Sequence, residues 1–351
     1  MIRRVWKWLK RALILLIVMM AGLLAPVGYV ELACKGEPVE SDYVAILPPE
    51  DRRPESRTLL TYPEWHIVHA YDDYARVIRD GDPHDYAYLR SISGFWSSLC
   101  ALSGKSAQHG GFPWETKQMV YTIGVSFTAE LLGKAAYEET LGRVATWVRG
   151  EGRTGLDDVS ADQAAAYAKF LQQVPWYKWD FKSDAAELAA NATDAFRDRE
   201  RRFALGTEYS VKAAYAKVIE QAVAQVGADA LRLRMIVTGL SAERLAALPG
   251  VEVVMVSPDY IEIETPRYRV LTGLLQDMAD KGAEFVEIAG NDDILITALS
   301  GQSTQQGAIF SFARQGYGDW RHLVMIKVSD LADRLRSAGQ NGLQIEHVHD
   351  Y

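Results

Sequence analysis

Hydrophobic and polar positions fall into three regimes along the chain. Residues 12–30 carry no charge at all. From about residue 61 to 226 apolar positions recur at the helical spacing of three to four, and from 231 onward they alternate in the manner of half-buried strands or fill short helices between them. The first regime predicts a membrane anchor, because a hydrocarbon core about 30 Å thick takes roughly 20 apolar residues of helix. Arg3, Arg4, Lys7, Lys10 and Arg11 precede the run, and Glu31, Glu37, Glu40 and Asp42 follow it. Positive charge stays on the cytoplasmic side, so the expected topology is a single pass in the cytoplasmic (inner) membrane with everything after Tyr29 outside. Trp6 and Trp8 suit the inner interface and Tyr29 the outer one. A removable signal would have a shorter apolar run and a small-x-small cleavage site. Here Ala25 precedes Pro26, and a cut after Ala33 would put Glu31 where a small residue is wanted. Glu31 also stands where a lipid-attachment motif ending at Cys34 would carry leucine.

Four prolines among charges make residues 31–57 an extended tether. Thr61-Tyr62-Pro63-Glu64 reads as a capping box opening a helix with Trp65, Val68, Tyr71, Ala75 and Ile78 on one face. A second helix follows Asp85, and residues 104–111 read as a mobile linker. A long third helix over about 114–148, uncharged from Gln118 to Ala129, is expected to be the core helix. Further helices, one capped by Ser160 and one over about 194–226, complete an all-helical bundle at 58–227.

The change of period at Ala228 predicts a separate α+β domain over 228–351, with each half closing its own core. Leu231, Leu233, Met235 and Val237 alternate with Arg232 and Arg234, Ser241 starts a short helix, and Thr265-Pro266 opens another that Gly282 ends. The resulting β-α-β-β-α-β order is similar to the ferredoxin-like split arrangement. Strands near 294–299, 308–313, 322–328 and 343 onward either extend that sheet or begin a second unit. The layout, an anchor at 1–30, a tether, a bundle and an α+β domain, resembles single-pass assembly subunits that end in a ferredoxin-like domain.

Charge and cysteines narrow the setting. The net charge is −8, and setting aside the five basic residues ahead of the anchor leaves −13. That balance argues against nucleic acid as a partner. Cys34 and Cys100, the two cysteines, both lie on the expected outer side, and a bridge between them would contribute on the order of 4 kcal/mol through loop entropy.

No run of residues declares a reaction or a cofactor. Gly104-Lys105-Ser106 lacks the upstream glycine of a phosphate loop, since residue 99 is Leu99, and it follows a helix. Gly124-Val125-Ser126-Phe127-Thr128 lies inside a helix where a nucleophile elbow needs a strand-to-helix turn. His347 with His349, and His66 with His69, are two incomplete metal pairs, since zinc asks for at least three protein donors. The aromatic run Trp176, Tyr177, Trp179 and Phe181, interspersed with lysines, suits a headgroup layer or a partner groove. The sequence thus predicts a membrane-tethered module of a bacterial-type envelope that acts through protein contacts. The alternative is an enzyme or carrier for an amphiphilic substrate, with Glu64, Tyr121, Glu130 and Lys134 as the polar groups of an aromatic-lined pocket in the helical domain.

Overall fold

A computed structural model describes residues 2–39, 42–150, 152–226 and 231–351. Glu40 of the acidic flank and the expected domain boundary at 227–229 lie outside the described residues. The apolar run and its basic flank form one helix, α1 (Ile2–Ala33), long and apolar enough to cross a membrane. Seven helices follow: α2 (Arg57–Asp80), α3 (Tyr88–Ser106), α4 (Trp114–Tyr137), α5 (Arg143–Arg149), α6 (Gly155–Leu171), α7 (Phe181–Asn191) and α8 (Phe196–Val226). A π-helical turn, Glu138–Gly142, joins α4 to α5, so the expected long third helix is continuous in direction.

Two helix starts differ from the sequence reading for one reason. Thr61 Oγ1 donates to the Thr58 carbonyl at 3.0 Å and Ser160 Oγ to the Asp157 carbonyl at 2.8 Å, so each hydroxyl back-bonds within a helix already under way. The true starts lie at Ser56 and at Thr154, where Asp157 completes a capping box. Residues 104–106, expected in a linker, are the last turn of α3.

The central helix is α2, in place of the expected third helix. Its apolar Leu59, Leu60, Tyr62 and Trp65 share a cluster with Leu295 and Leu323 of the sheet region, and Tyr71 further along packs with Tyr167 and Phe181. By contrast α4 leaves Met119, Thr122, Ala129 and Leu132 exposed. The uncharged stretch of α4 thus only partly faces the interior.

The second half contains β1 (Arg232–Thr238), α9 (Ala242–Ala246), β2 (Glu252–Val256), β3 (Ile261–Pro266), α10 (Arg269–Asp280) and β4 (Glu284–Ile288). It continues with β5 (Asp293–Ser300), β6 (Ala308–Ala313), β7 (Trp320–Lys327), α11 (Val328–Ser337) and β8 (Gln344–His349). The later strands form a second sheet. The orders are β2-β3-β1-β4 and β6-β7-β5-β8, antiparallel throughout, so in each sheet the first strand pairs with the third and fourth. Residues of α10 and α11 lie in one core with both sheets, where Met235, Ile263, Leu275, Phe285, Ile296 and Leu331 meet. The opposite face of the second sheet packs on α2, so a smaller cluster bridges the helical and sheet halves beside the clusters that each holds of its own.

Two devices tie the segments together. The sulfurs of Cys34 and Cys100 lie at disulfide distance, 2.06 Å, joining the chain just beyond α1 to α3. Residues 42–53 lie against the first sheet, where buried Glu287 accepts from the Tyr43 hydroxyl at 2.5 Å and from the Ile46 and Leu47 amides at 2.5 and 2.9 Å. A buried carboxylate with three donors is satisfied only while that segment stays docked. Glu287→Ala should therefore lower stability by roughly 3 kcal/mol in urea unfolding and open residues 42–53 to limited proteolysis.

Candidate functional site

The site with unspent polar capacity lies where α2 meets the second sheet. Spacing on α2 puts Tyr62, His66, His69 and Asp73 on one side of the helix, at offsets of four, seven and eleven. Opposite them, β7 contributes Arg321 and β8 contributes Glu346, His347 and His349. The register of β8 against β5 shifts at Ile345–His347, which bulges Glu346 out of the ladder. The histidines consequently do not share a face with Ile345 as plain alternation implied: Ile345 packs toward the common core, while His347 stacks on Trp65 of α2 with ring centroids 3.5 Å apart. His66, His69, His347 and His349 are all buried.

Arg321 is the charge at the centre of this group. It is fully buried and clasps Glu346 with two bonds, Nε to Oε2 and Nη2 to Oε1 at 2.6 Å, while Nη1 has no partner. Burial opposes its charge, but Glu346 more than offsets this and raises its pKa. His69 Nε2 stands 3.4 Å from Glu346 Oε2, outside hydrogen-bond alignment. Asp73 accepts the Gln315 amide at Oδ2, 2.9 Å away, and leaves Oδ1 without a bond. Burial lifts the Asp73 carboxyl to about 7 despite Arg321 nearby. Burial acts the other way on the histidines, lowering His66 to about 4 and His349 to about 3, and His69 and His347 well below their usual value. At neutral pH the four imidazoles are uncharged. His66 Nε2 lies 3.0 Å from the Ser91 carbonyl, so it carries the proton and donates.

His66, His69, Asp73 and Arg321 reach a cleft of about 180 Å³, closed on its other sides by Arg90, Ser91 and Gly94 of α3 and by Phe310 and Phe312 of β6. Chemically the cleft offers a guanidinium donor, a carboxyl that titrates near neutrality and an aromatic wall. Such a set can hold a polar side chain or an anionic group.

The residues singled out in the sequence are placed elsewhere. Glu64 is exposed on α2. The Tyr121 hydroxyl donates to Glu31 at 2.7 Å. Glu130 and Lys134 join Glu208 and Lys212 in a closed ladder, with Lys212 to Glu130 at 2.9 Å, Lys134 to Glu208 at 2.9 Å and Tyr71 donating to Glu130 at 2.7 Å. The cavity beside this ladder is only about 30 Å³, about the volume of one water. The four groups thus do not converge. Trp176, Tyr177 and Trp179 are half-buried and Phe181 is buried, with Trp176, Trp179 and Phe181 in a cluster around Tyr71 and Tyr167. Among the described residues two carboxylate–histidine groups have metal-like spacing, Glu55–His109–Asp293 and Asp82–His84–Asp85, and neither includes His347 or His349. Cations already serve both: Lys327 lies 2.9 Å from Asp293, and Arg149 and Arg197 each 2.8 Å from Asp82. Sequence reasoning missed Asp73, Arg321 and Glu346. The available signal was Arg321, a charge one position into a strand whose centre, Leu323 to Ile326, is apolar.

No known family model, curated protein or solved structure matches the chain.

Two outcomes follow from these electrostatics. The Asp73 pKa lies above its unfolded value of 3.8, so the fold holds the extra proton between about pH 4 and 7 and stability falls as pH rises through that window. The histidines are depressed from 6.5, so their contribution is present above that value and is lost on acidification toward about 4. Asp73→Asn should accordingly stabilise the protein at pH 8, on the order of 2 kcal/mol, with the gain vanishing near pH 4 in urea titrations at both values. Lys212→Met leaves Glu130 and Glu208 to share Lys134, and should cost about 3–5 kcal/mol in the same assay.

Proposed function

We propose that the chain is a single-pass, membrane-anchored extracytoplasmic protein, a binding or assembly module of a bacterial-type envelope, and that its α2–α3–β6 cleft receives a polar group of a partner protein. The observation that carries this reading is the size and chemistry of the cleft. At about 180 Å³ it is smaller than the ~300–1,000 Å³ usual for small-molecule sites, yet it presents Arg321 Nη1 without a partner and Asp73 Oδ1 without a hydrogen bond, the nearest cation being Arg314 Nε at 3.9 Å. That suits one inserted side chain better than a whole amphiphile. The filled ladder of Glu130, Lys134, Glu208 and Lys212 argues against an amphiphile pocket within the helical region.

The rest of the reading follows the same lines. Each sheet is proposed as a ferredoxin-like unit, the second with a loop at 301–307 in place of its first helix, supported by their shared strand order. Placing the body in an oxidising compartment is supported by the paired Cys34 and Cys100.

Photocrosslinking in intact membranes tests the proposal. A photoreactive residue at exposed Ser93, on the cleft rim, should give discrete protein adducts, while one at Gln302 should not. Adducts to lipid or small molecules alone at Ser93 would instead favour the enzyme or carrier alternative, and equal labelling at both positions would remove the cleft as the docking point.

A further inference from the structure

The anchor helix is not free of the body at its outer end. Residues 12–30 are uncharged, and at 1.5 Å per residue this run is about 28 Å long, close to the ~30 Å it has to cross. Every turn is therefore needed for the span. Yet in the last part of that run Leu23, Pro26, Val27 and Val30 turn onto protein, with Val27 and Val30 in one cluster with Phe95, Trp96, Val120 and Phe127. Glu31, one residue further, meets Lys117 at 2.7 Å and Tyr121 at 2.7 Å.

The direction of α4 follows from its neighbours. Cys34 is joined to Cys100, and Gly36 is packed against Gly104, so α3 runs in the same sense as the end of the anchor. Gly124 lies against Phe95 and Trp96, and Trp96 Nε1 donates to Thr128 at 2.9 Å, which makes α4 the returning arm of an α3–α4 hairpin. Helix α4 starts beside Glu31 and descends along the anchor toward the bilayer.

Its outward face matches that destination. Every exposed residue of α4 from Gln118 to Ala136 is uncharged, because Glu130 and Lys134 turn inward to Glu208 and Lys212 of α8. Helix α8, the partner in that ladder, repeats the pattern: each exposed residue from Phe203 to Tyr215 is uncharged, with Phe203 and Val211 68% and 64% exposed. Three hydroxyls on this face bond within their own helices, Thr122 to the Gln118 carbonyl, Thr207 to that of Phe203 and Ser210 to that of Gly206, each at 2.7 Å. A hydroxyl so satisfied can face hydrocarbon without a water partner. Beyond α4 the exposed Glu139–Arg143 pair, with exposed Arg202 of α8 at the same end, closes the uncharged face before Val144 and Trp147, and exposed Lys217 closes it at the other end of the α8 stretch.

We infer that the outward face of α4 and α8 sits in the hydrocarbon of the bilayer beside the anchor, so that the body is bound to lipid over a helical surface as well as through its single span. This rests on α1 spanning the membrane, and continuity with α1 at leaflet depth is what assigns the face to lipid instead of a second protein. It also moves the expected lipid contact away from Trp176 and Trp179, whose rings are half-buried in the bundle.

Spin labelling of the full chain in phosphatidylethanolamine–phosphatidylglycerol vesicles tests it. The two native cysteines are joined, so a nitroxide can be attached selectively after Leu132→Cys, Val211→Cys, Leu16→Cys or Gln302→Cys, all exposed sites. Labels at 132 and 211 should collide with dissolved oxygen several-fold more than with a water-soluble nickel chelate, as at position 16, and position 302 should show the reverse. Nickel access at 132 and 211 like that at 302 would overturn the inference, and screening from both reagents would overturn it in favour of a protein cover. If position 16 is also open to nickel, the anchor reading itself has failed. If 16 lies in lipid while 132 and 211 do not, only the inference about this face has failed.

Discussion

Helix α2 is packed on one side against Leu295 and Leu323 of the second sheet and on another against Tyr167 and Phe181 of the helical region. A helix enclosed in this way must carry its polar residues into the interior, where each needs a partner or remains unsatisfied. His66 finds one in the Ser91 carbonyl; Asp73 finds half of what it needs, and His69 Nε2 has no hydrogen bond. The cleft exists because those deficits, together with that of Arg321, fall side by side. Its chemistry is thus a consequence of placing one helix between two layers, and the carboxyl near neutrality and the uncharged imidazoles follow from the same burial.

Burial of charge elsewhere is handled by closure. The ladder of Glu130, Lys134, Glu208 and Lys212 balances its signs and takes the Tyr71 hydroxyl as well, and Arg197 and Arg201 are met by Asp82, Asp157, Glu138 and Glu200. Pairs of this kind add little net stability over apolar packing, but removing one member is costly. Their service here is to let helices rich in charge meet face to face.

Period was the legible part of the fold. The uncharged run, the alternating strands after residue 231 and the short helices between them are where expected, because each buries residues on a spacing set by its own backbone. The starts at Thr61 and Ser160 were misread because a back-bonded hydroxyl and a capping hydroxyl look alike in sequence. Helix α2 was undervalued since His66, His69 and Asp73 resemble a wet face. The cleft was illegible for a further reason: residues 66–73 and 321–349 lie far apart in the chain, and the bulge at Glu346 that brings them together leaves no local mark.

The junction of Cys34 with Cys100 and of Glu31 with Lys117 and Tyr121 welds the anchor to the body at several points within two helical turns. An anchor joined through a slack leash would let its cargo tumble and sample every heading. A welded one removes tilt and roll, leaving spin about the membrane normal and drift in the plane. For a spanning α1, the body keeps one fixed attitude to the bilayer, and every face of it, the cleft included, holds a constant depth.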